Sequence, residues 1–282
     1  MLLNPLTFHA PTSLSEAVRL MAELEHVRLH AGGTFLLNQL KVLKRNGART
    51  PDHVITLQHI AELRGISLDR DGLRIGAMTT IAEIFDHPLV AEHLPVLKTV
   101  CRNISTQPIR NMATIGGNLT CRYTWTEMPA VSLGLRASLH FVDTAMNETA
   151  VDPQEFFAGQ AKTDKLLTAV RFPLIADRRC AYRRAKKSQF VDIPMLSLII
   201  SAGRGKASLE DCRVAVNNCV EFAQRDAALE EFLNTTPAGP DLPAAALDHL
   251  TGEIYAKRGS DYKTHLFRLY LREAIEELIN DE

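Results

Sequence analysis

Length, composition and charge place this chain among ordinary globular proteins. Its 282 residues correspond to about two domains at roughly 150 residues each. Hydrophobic residues make up 46% and charged residues 23%, which excludes a disordered, collagenous or disulfide-scaffold protein. The 32 basic and 33 acidic residues give a net charge of -1, so the charge does not favour nucleic acid as a partner.

The sequence predicts a cytoplasmic chain. Its amino terminus has neither a basic region nor a long apolar run, so we expect no signal peptide. The most apolar later stretch, 193–202, is too short for a membrane span. The 5 cysteines are odd in number and form no Cys-x-x-Cys pair, which is typical of reduced thiols.

The first 57 residues have the pattern of a small α/β unit. Capping-box spacing after Ser13 predicts a helix. The short apolar strand 27–30 then runs into the first glycine pair, Ala31-Gly-Gly-Thr34. A short helix over 35–43 and a buried strand over 54–57 complete the unit.

Residues 58–176 form a second unit with less regular patterning. The segment 107–126 has poor periodicity and carries a second glycine pair, Gly116-Gly117. Around this segment the pattern predicts strands over 73–78, 139–143 and 166–172 and a helix over 94–104.

From about residue 177 the pattern changes to that of a sheet followed by helices. Strands are predicted over 181–185, 193–202 and 213–217, and helices over 223–233, 242–255 and 262–279. We therefore predict an α+β protein with an amino-terminal domain, 1–176, divided into subdomains 1–57 and 58–176. A carboxy-terminal domain, 177–282, follows.

Common catalytic and metal-binding motifs are missing from the sequence. The 10 histidines form no His-x-His or His-Glu-x-x-His pair, and there is no Gly-x-Ser-x-Gly elbow. Gly203-Arg-Gly-Lys206 precedes Ala207, which lacks a magnesium-binding hydroxyl, so this run predicts a hairpin turn. We predict neither a catalytic residue nor a metal site.

The two glycine pairs are the remaining candidates for function. Each pair offers consecutive backbone N–H groups without an obstructing side chain, which is how a chain can bind a diphosphate. One such pair is most often a tight turn. Two of them, with Thr34, Thr114 and Asn118 close by, favour a dinucleotide cofactor.

Both pairs resemble the FAD loops of one enzyme family, the medium subunits of molybdenum hydroxylases related to xanthine and carbon monoxide dehydrogenases. The two matching stretches are Leu29-His-Ala-Gly-Gly-Thr-Phe-Leu-Leu37 and Gln107-Pro-Ile-Arg-Asn-Met-Ala-Thr-Ile-Gly-Gly-Asn-Leu119. Shorter matches at 60–66, 73–80, 166–173, 192–193, 213–216 and 260–262 extend the resemblance over nearly the whole chain.

The resemblance implies an FAD-binding fold of the vanillyl-alcohol oxidase type. Two α/β subdomains would bind FAD, and a domain of a three-stranded antiparallel sheet and a helical bundle would follow. It also implies the cofactor-binding residues: Leu29, Ala31, Gly32, Gly33, Thr34, Phe35, Leu36, Ala113, Thr114, Ile115, Gly116, Gly117, Asn118, Glu127, Leu167 and Arg184. Among these, Glu127 corresponds to a ribose-binding acid and Arg184, with Arg183 as a close alternative, to a basic FAD contact.

Several residues depart from the family pattern. Phe35 stands where the family usually has Asp, and Glu127 is one methylene longer than the usual acid. Trp125, the sole tryptophan, is interpreted as a packing residue, with a flavin-facing or partner-facing role as the alternative. Asn217-Asn-Cys219 replaces a run of small residues. We expect no iron–sulfur cluster in this chain, because it lacks clustered cysteines.

The resemblance implies a redox function shared with partner subunits. A small subunit with [2Fe-2S] clusters would deliver electrons to FAD, while a large subunit with a molybdenum cofactor performs the substrate chemistry. The external acceptor would be NAD+, a quinone, a ferredoxin or oxygen. Two alternatives stay open: a scaffold subunit that has lost FAD, motivated by Phe35 and the segment 121–127, and a free-standing FAD oxidase.

Overall fold

The fold is taken from a computed structural model, which describes residues 3–121, 123, 125–159, 164–188, 191–205, 208–256 and 259–280. The first part of the chain forms a small parallel unit. Its elements are β1 (Thr7–His9), α1 (Leu14–Glu23), β2 (Val27–His30), α2 (Leu36–Arg45) and β3 (His53–Thr56). The strands pair in parallel in the order β1-β3-β2. The hydroxyl of Ser13 caps α1, as the capping-box spacing predicts.

An antiparallel sheet of five strands forms the second unit, in the order β4-β5-β8-β6-β7. Its strands are β4 (Ile66–Asp69), β5 (Gly72–Gly76), β6 (Ser138–Val142), β7 (Glu148–Val151) and β8 (Leu166–Phe172). A 3-10 turn over Ala61–Leu63 precedes β4. The intervening helices are α3 (Ile81–Asp86), α4 (Pro88–His93), α5 (Pro95–Asn103), α6 (Gln107–Arg110), α7 (Ile115–Thr120), α8 (Met128–Gly134) and α9 (Pro153–Phe157).

A second antiparallel sheet and the last helices form the third unit. The strands β9 (Arg178–Ala185), β10 (Leu196–Arg204), β11 (Leu209–Asn217) and β12 (Gln224–Arg225) pair in the order β12-β11-β10-β9. The helices are α10 (Ala227–Thr235), α11 (Leu242–Ala245), α12 (Gly252–Ala256) and α13 (Asp261–Asn280). The two-residue strand β12 adds an edge to the three strands that were predicted.

The helix predicted over 242–255 is wrong as a continuous element. A 3-10 turn, Ala246–Asp248, follows α11, and α12 begins only at Gly252. The Thr251 N–H and hydroxyl both donate to the buried carboxylate of Asp226, which lies at the start of α10. These bonds draw the backbone away from a helical path between the two segments.

Each sheet packs against an apolar core. The core of the five-stranded sheet, which we call the central core, also includes residues of the last sheet. Leu73, Val131 and Phe172 pack together with Ile199 and Ala215 from the last sheet. Helix α8 packs against β10 and β11 and provides this connection. The division into domains 1–176 and 177–282, with subdomains meeting near residue 57, stays a prediction.

Candidate cofactor site

The first glycine loop connects the end of β2 to the start of α2. Among the residues that the structure describes, the backbone N–H groups of 31–36 have no hydrogen-bond acceptor. Gly33 has a φ of +69°, and a Cβ there would lie 2.5 Å from His30 Nε2. The backbone conformation therefore favours glycine, and a larger residue would also require the His30 ring to shift. This loop presents several N–H donors to an anionic group.

The second loop does not present free N–H groups, so our expectation for it was wrong. Thr114 is the amino-terminal cap of α7, and the N–H groups of the next four residues already donate within the protein. Their acceptors are Thr79 O for Ile115 (3.0 Å), Ala77 O for Gly116 (2.9 Å), Thr114 Oγ1 for Gly117 (3.1 Å) and Thr114 O for Asn118 (2.9 Å).

The second loop supports the first one by direct contact. A Cβ on Gly32 would lie 1.9 Å from the carbonyl oxygen of Met112, so the two backbones touch there. A Cβ on Gly117 would lie 3.7 Å from the Ala31 Cβ. Gly116 faces inward instead, because a Cβ there would lie 2.7 Å from the Ala77 carbonyl oxygen. The second loop thus packs against the first through Met112, and FAD binding by Ala113–Asn118 stays a prediction.

A cavity of about 700 Å³ opens beside both loops. Ala31, Gly32 and Thr114 line it, together with Met112 and Arg64. This volume lies within the range of cofactor sites, about 300–1,000 Å³. Arg64 was not predicted as a site residue, although it falls within the matching stretch 60–66. Its guanidinium donates to Gln58 O at 3.1 Å and brings a positive charge to the cavity wall.

Three aromatic side chains meet next to the first loop, at residues that depart from the family pattern. The ring centroid of Phe35 lies 4.6 Å from that of Tyr123 and 5.7 Å from that of Trp125. Tyr123 and Trp125 stack on each other at 4.2 Å and 20°. Both are half-buried, whereas Phe35 is 40% exposed. We call these three residues the aromatic cluster; none of them lines the cavity.

Glu127 and Arg184 form a buried ion pair between α8 and β9. Arg184 Nε donates to Glu127 Oε1 at 2.7 Å, and only 9% and 3% of the two side chains are exposed. The Ser197 hydroxyl donates to Glu127 Oε2 at 2.6 Å and the Tyr182 hydroxyl at 3.1 Å. Burial raises the pKa of Glu127, and the Ser197 hydrogen bond and the Arg184 charge oppose that rise.

The position of this pair bears on two predicted FAD contacts. Both side chains are engaged with each other, and the ribose contact of Glu127 and the FAD contact of Arg184 stay predictions. Arg183, the close alternative, pairs with Glu273 and Glu277 on α13, because neighbouring residues on a strand face opposite sides.

Two asparagines of the unusual run 217–219 support the polar cluster around Glu127. Asn217 Nδ2 donates to Thr126 O at 2.6 Å, and Asn218 Nδ2 donates to Ser197 Oγ at 2.8 Å. The amide side chains thereby connect the end of β11 to the segment before α8.

The remaining predicted residues have structural surroundings that do not define a ligand contact. Leu167 is buried in the central core, and Leu29 is half-buried in β2. The carbonyl of Ala113 accepts from the Ile81 N–H at 2.8 Å. Asn118 Oδ1 accepts from the Met128 N–H at 3.2 Å and so links α7 to α8.

The described residues contain neither a metal-binding cluster nor a membrane-spanning helix. They contain no group of three or more His, Cys, Asp or Glu side chains that could hold a metal ion. No helix within the described ranges is long and apolar enough to cross a membrane.

Comparison with known proteins decides the family. Residues 4–175 match the model of the FAD binding domain in molybdopterin dehydrogenase. The chain belongs to this family. It is 33% identical over 225 residues to the carbon monoxide dehydrogenase medium chain of Hydrogenophaga pseudoflava, covering 77% of this chain and 76% of that protein. It is 32% identical over 172 residues to the xanthine dehydrogenase FAD-binding subunit of Escherichia coli O157:H7, covering 59% and 57%.

The fold of this chain also matches that of solved structures from related enzymes. The fold superimposes on a chain of carbon monoxide dehydrogenase from Oligotropha carboxidovorans with a TM-score of 0.88, at 25% identity and 99% coverage of both chains. These matches confirm the predicted resemblance, the predicted fold and FAD as the family's cofactor. They also confirm the class, because the relatives are dehydrogenase and hydroxylase subunits.

Proposed function

We propose that this chain is the FAD-carrying electron-transfer subunit of a cytoplasmic molybdenum hydroxylase complex. The observation that carries the proposal is the row of unpaired N–H groups at 31–36, which lies beside a cavity of about 700 Å³. An anionic diphosphate suits these donors, and the cavity has room for a ring system. The family assignment identifies FAD as the molecule that has both parts.

The chain's own residues would hold the cofactor in a defined order. The N–H groups of Ala31, Gly32, Gly33, Thr34 and Phe35 would donate to the diphosphate, and the Arg64 guanidinium would neutralise part of its charge. Thr114 Oγ1 accepts from Gly117, so its own hydrogen can still donate into the cavity that it lines. When bound, FAD supplies one- and two-electron transfer.

The relatives are named as medium chains or FAD-binding subunits, which supports partner subunits for this chain. We propose a small subunit with [2Fe-2S] clusters as the electron donor and a large subunit with a molybdenum cofactor as the site of substrate oxidation. The similarity to carbon monoxide dehydrogenase medium chains supports this arrangement. The acceptor would be NAD+, a quinone, a ferredoxin or oxygen.

The first test is the visible spectrum of the purified chain, followed by chromatography of the molecule that heat releases. Flavin absorption with FAD released, and co-purification with iron–sulfur and molybdenum subunits, would support the proposal. A colourless chain that takes up no added FAD would favour the scaffold alternative. Substrate turnover by the isolated chain would favour the free-standing oxidase.

A charge substitution tests the site itself. Arg64→Met should weaken FAD binding about 10-fold or more, since a charge-assisted contact contributes about 1.5–3 kcal/mol. Arg19→Met is the matched control, because Arg19 pairs with Glu23 on the exposed face of α1. Equal FAD affinity of the two variants in equilibrium titration would contradict the placement of the diphosphate.

A further inference from the structure

We infer that His30 is a positioning residue, which supports the backbone of the first glycine loop and makes FAD affinity depend on the protonation of its imidazole ring. This inference rests on the proposed function and adds to it a residue that was not among the predicted cofactor contacts. His30 lies within the matching stretch 29–37, directly before Ala31.

The neighbouring strand holds His30 through both its side chain and its main chain. His30 is the last residue of β2 and pairs with Thr56, the last residue of β3. Its Nδ1 lies 3.1 Å from Thr56 Oγ1, and its carbonyl oxygen accepts from the Leu57 N–H at 2.9 Å. The half-buried ring is therefore fixed relative to β3.

The opposite edge of the His30 ring contacts the first loop. A Cβ on Gly33 would lie 2.5 Å from His30 Nε2 and 3.3 Å from Cδ2, so the glycine backbone packs against this edge. Gly33 stands in the row 31–36, whose N–H groups have no acceptor among the described residues. The ring thus connects the position of these donors to β3.

The hydrogen bonds of Thr56 assign the tautomer of the neutral ring. Thr56 Oγ1 accepts from the Gln58 N–H at 3.4 Å, and its own hydrogen can donate to His30 Nδ1. A neutral imidazole that accepts at Nδ1 carries its hydrogen at Nε2. Nε2 has no hydrogen-bond partner within the part of the chain that the structure describes, so it adds a donor at the loop.

The residues next to His30 bring its ring close to the cavity. Ala31 and Gly32, which follow it in the chain, line the cavity, and so does Gln58, whose N–H bonds to Thr56. A diphosphate bound by the row 31–36 would therefore lie within a few residues of the ring. At such a distance, a charge on the ring acts on the ligand even without direct contact.

The charged groups around His30 leave its protonation open to the influence of a ligand. The loop 31–36 contains no titratable side chain, and no carboxylate among the described residues forms an ion pair with the ring. The neighbouring cations are Arg28, two residues earlier on the same face of β2, and Arg64, which donates to Gln58 O at 3.1 Å. Burial lowers the pKa of His30, so the ring is neutral at pH 8.

Protonation adds a charge without breaking the contact with β3. In the protonated ring, Nδ1–H donates to Thr56 Oγ1, because the hydroxyl can accept as well as donate. A positive ring beside the loop attracts an anionic diphosphate more strongly than a neutral one. FAD should therefore bind more tightly to the protonated chain, and its affinity should fall as pH rises through the pKa of His30.

The experiment measures FAD affinity of the full chain, after its flavin has been removed, by equilibrium titration between pH 5 and pH 8. The variants are His30→Ala, which removes the support, and His30→Gln, which keeps an amide for hydrogen bonding but cannot take up a proton. The matched control is His53→Gln, because His53 lies in β3 of the same sheet and contacts His9 instead, at 3.1 Å. Far-UV circular dichroism measures the folding of each variant.

The expected affinities separate support from charge. At pH 8, His30→Ala should bind FAD about 10-fold more weakly, since it loses a hydrogen bond and the packing of a ring, and His30→Gln should stay within about 2-fold of wild type. From pH 8 to pH 5, wild type should gain about 5-fold in affinity, whereas both variants should gain less than about 2-fold. His53→Gln should follow wild type at each pH.

The same coupling should be visible on the His30 ring, because linkage between a proton and a ligand is reciprocal. NMR of the chain with ¹³C-labelled histidine follows the ring signals, and the His30 signal is the one that is lost in His30→Gln. FAD should raise the pKa of His30 relative to the flavin-free chain. A ring that only supports the loop would show no such change.

The inference would be overturned if His30→Ala bound FAD as tightly as wild type, or if wild type and His30→Gln had the same pH profile. In both cases FAD binding by wild type would leave the proposed function standing. If His30→Ala does not fold, the comparison of wild type with His30→Gln decides. If wild type binds no FAD at any pH, the inference and the proposed function fail together.

Discussion

The buried pair of Glu127 and Arg184 allows a quantitative test of how the carboxy-terminal sheet is attached to α8. The perturbation is a double-mutant cycle with Glu127→Met, Arg184→Met and the double variant. Glu127→Met removes the acceptor for Arg184, Ser197 and Tyr182 and leaves a cation in a site where only 9% of its side chain is exposed. Breaking a buried pair from one side costs about 3–5 kcal/mol.

The double variant is expected to recover part of that loss. Two methionines fill similar volume without a charge, and such replacements are often close to neutral apart from the donors left unpaired. We expect Glu127→Met to lower the free energy of unfolding by about 3–5 kcal/mol. For the double variant, we expect a decrease about 1–3 kcal/mol smaller than the sum of the two single effects. Urea unfolding followed by far-UV circular dichroism measures these values.

The same cycle has a pH dependence with a defined sign. Burial raises the pKa of Glu127, and Arg184→Met removes one of the effects that oppose this rise. A carboxyl whose pKa is higher in the folded than in the unfolded state stabilises the fold at low pH, and this contribution is lost as pH rises through the folded-state pKa. Arg184→Met should therefore lose stability relative to wild type as pH rises from the ordinary carboxyl pKa of about 4.3 through the raised folded-state pKa of Glu127.

The control is Arg19→Met, which breaks the exposed pair with Glu23 and should cost about 0.3–0.5 kcal/mol at most. The reasoning would be refuted if the effects of Glu127→Met and Arg184→Met added within about 0.3 kcal/mol. It would also be refuted if each single variant resembled the exposed control. Either result would mean that solvent reaches the pair and that the two elements are joined by apolar contacts alone.

Three further predictions concern packing and thiol chemistry. Gly32→Ala should lower the melting temperature and the FAD affinity together, because the new Cβ would lie 1.9 Å from Met112 O. Gly252→Ala is the control in thermal unfolding, because a Cβ there would have no heavy atom within 4 Å. Asp226→Ala should cost about 3 kcal/mol, since it removes a buried capping carboxylate, whereas Asp241→Ala at an exposed helix start without a capping bond should cost little. Burial raises the pKa of all five thiols, to about 11 or about 12 in four of them. A thiol reagent at pH 8 should therefore label the native chain slowly and the urea-unfolded chain fully. Rapid labelling of the native chain would contradict the burial of these thiols.

Local patterns predicted the longer elements well because their signals are local. Strands 166–172 and 178–185 and helix 261–280 were expected within a few residues, since alternation and helical spacing persist along each of them. The elements that were missed are short. Helices α6 and α7 have 4 and 6 residues, which is too few for a helical period to become visible, and they depend on caps such as Thr114.

The sequence indicates where the candidate site lies more readily than what each residue does there, and the contacts with FAD stay predictions. The first loop could be identified from Ala31-Gly-Gly-Thr34, because a glycine pair after a strand is a local feature. The role of Gly116 could not, since its constraint is the Ala77 carbonyl, which is distant in sequence. Arg64 reaches the cavity from the 3-10 turn before β4, and the contact of Phe35 with Trp125 joins segments about ninety residues apart.

The two glycine pairs illustrate why similar motifs serve different purposes. After β2, the N–H groups of 31–36 meet no acceptor within the part of the chain that the structure describes, so the loop exposes these donors. Soon after Ala113 the chain enters α7, and the N–H groups of 115–118 all donate hydrogen bonds within the protein. Their acceptors are the carbonyl oxygens of Thr79 and Ala77 and the hydroxyl and carbonyl oxygens of Thr114. In the second loop, Gly116 allows close packing against Ala77, and Met112 of the same segment contacts Gly32. The N–H groups without an acceptor therefore lie in the first loop, whereas the second loop brings Thr114 to the cavity, and the contacts of both loops with FAD stay predictions.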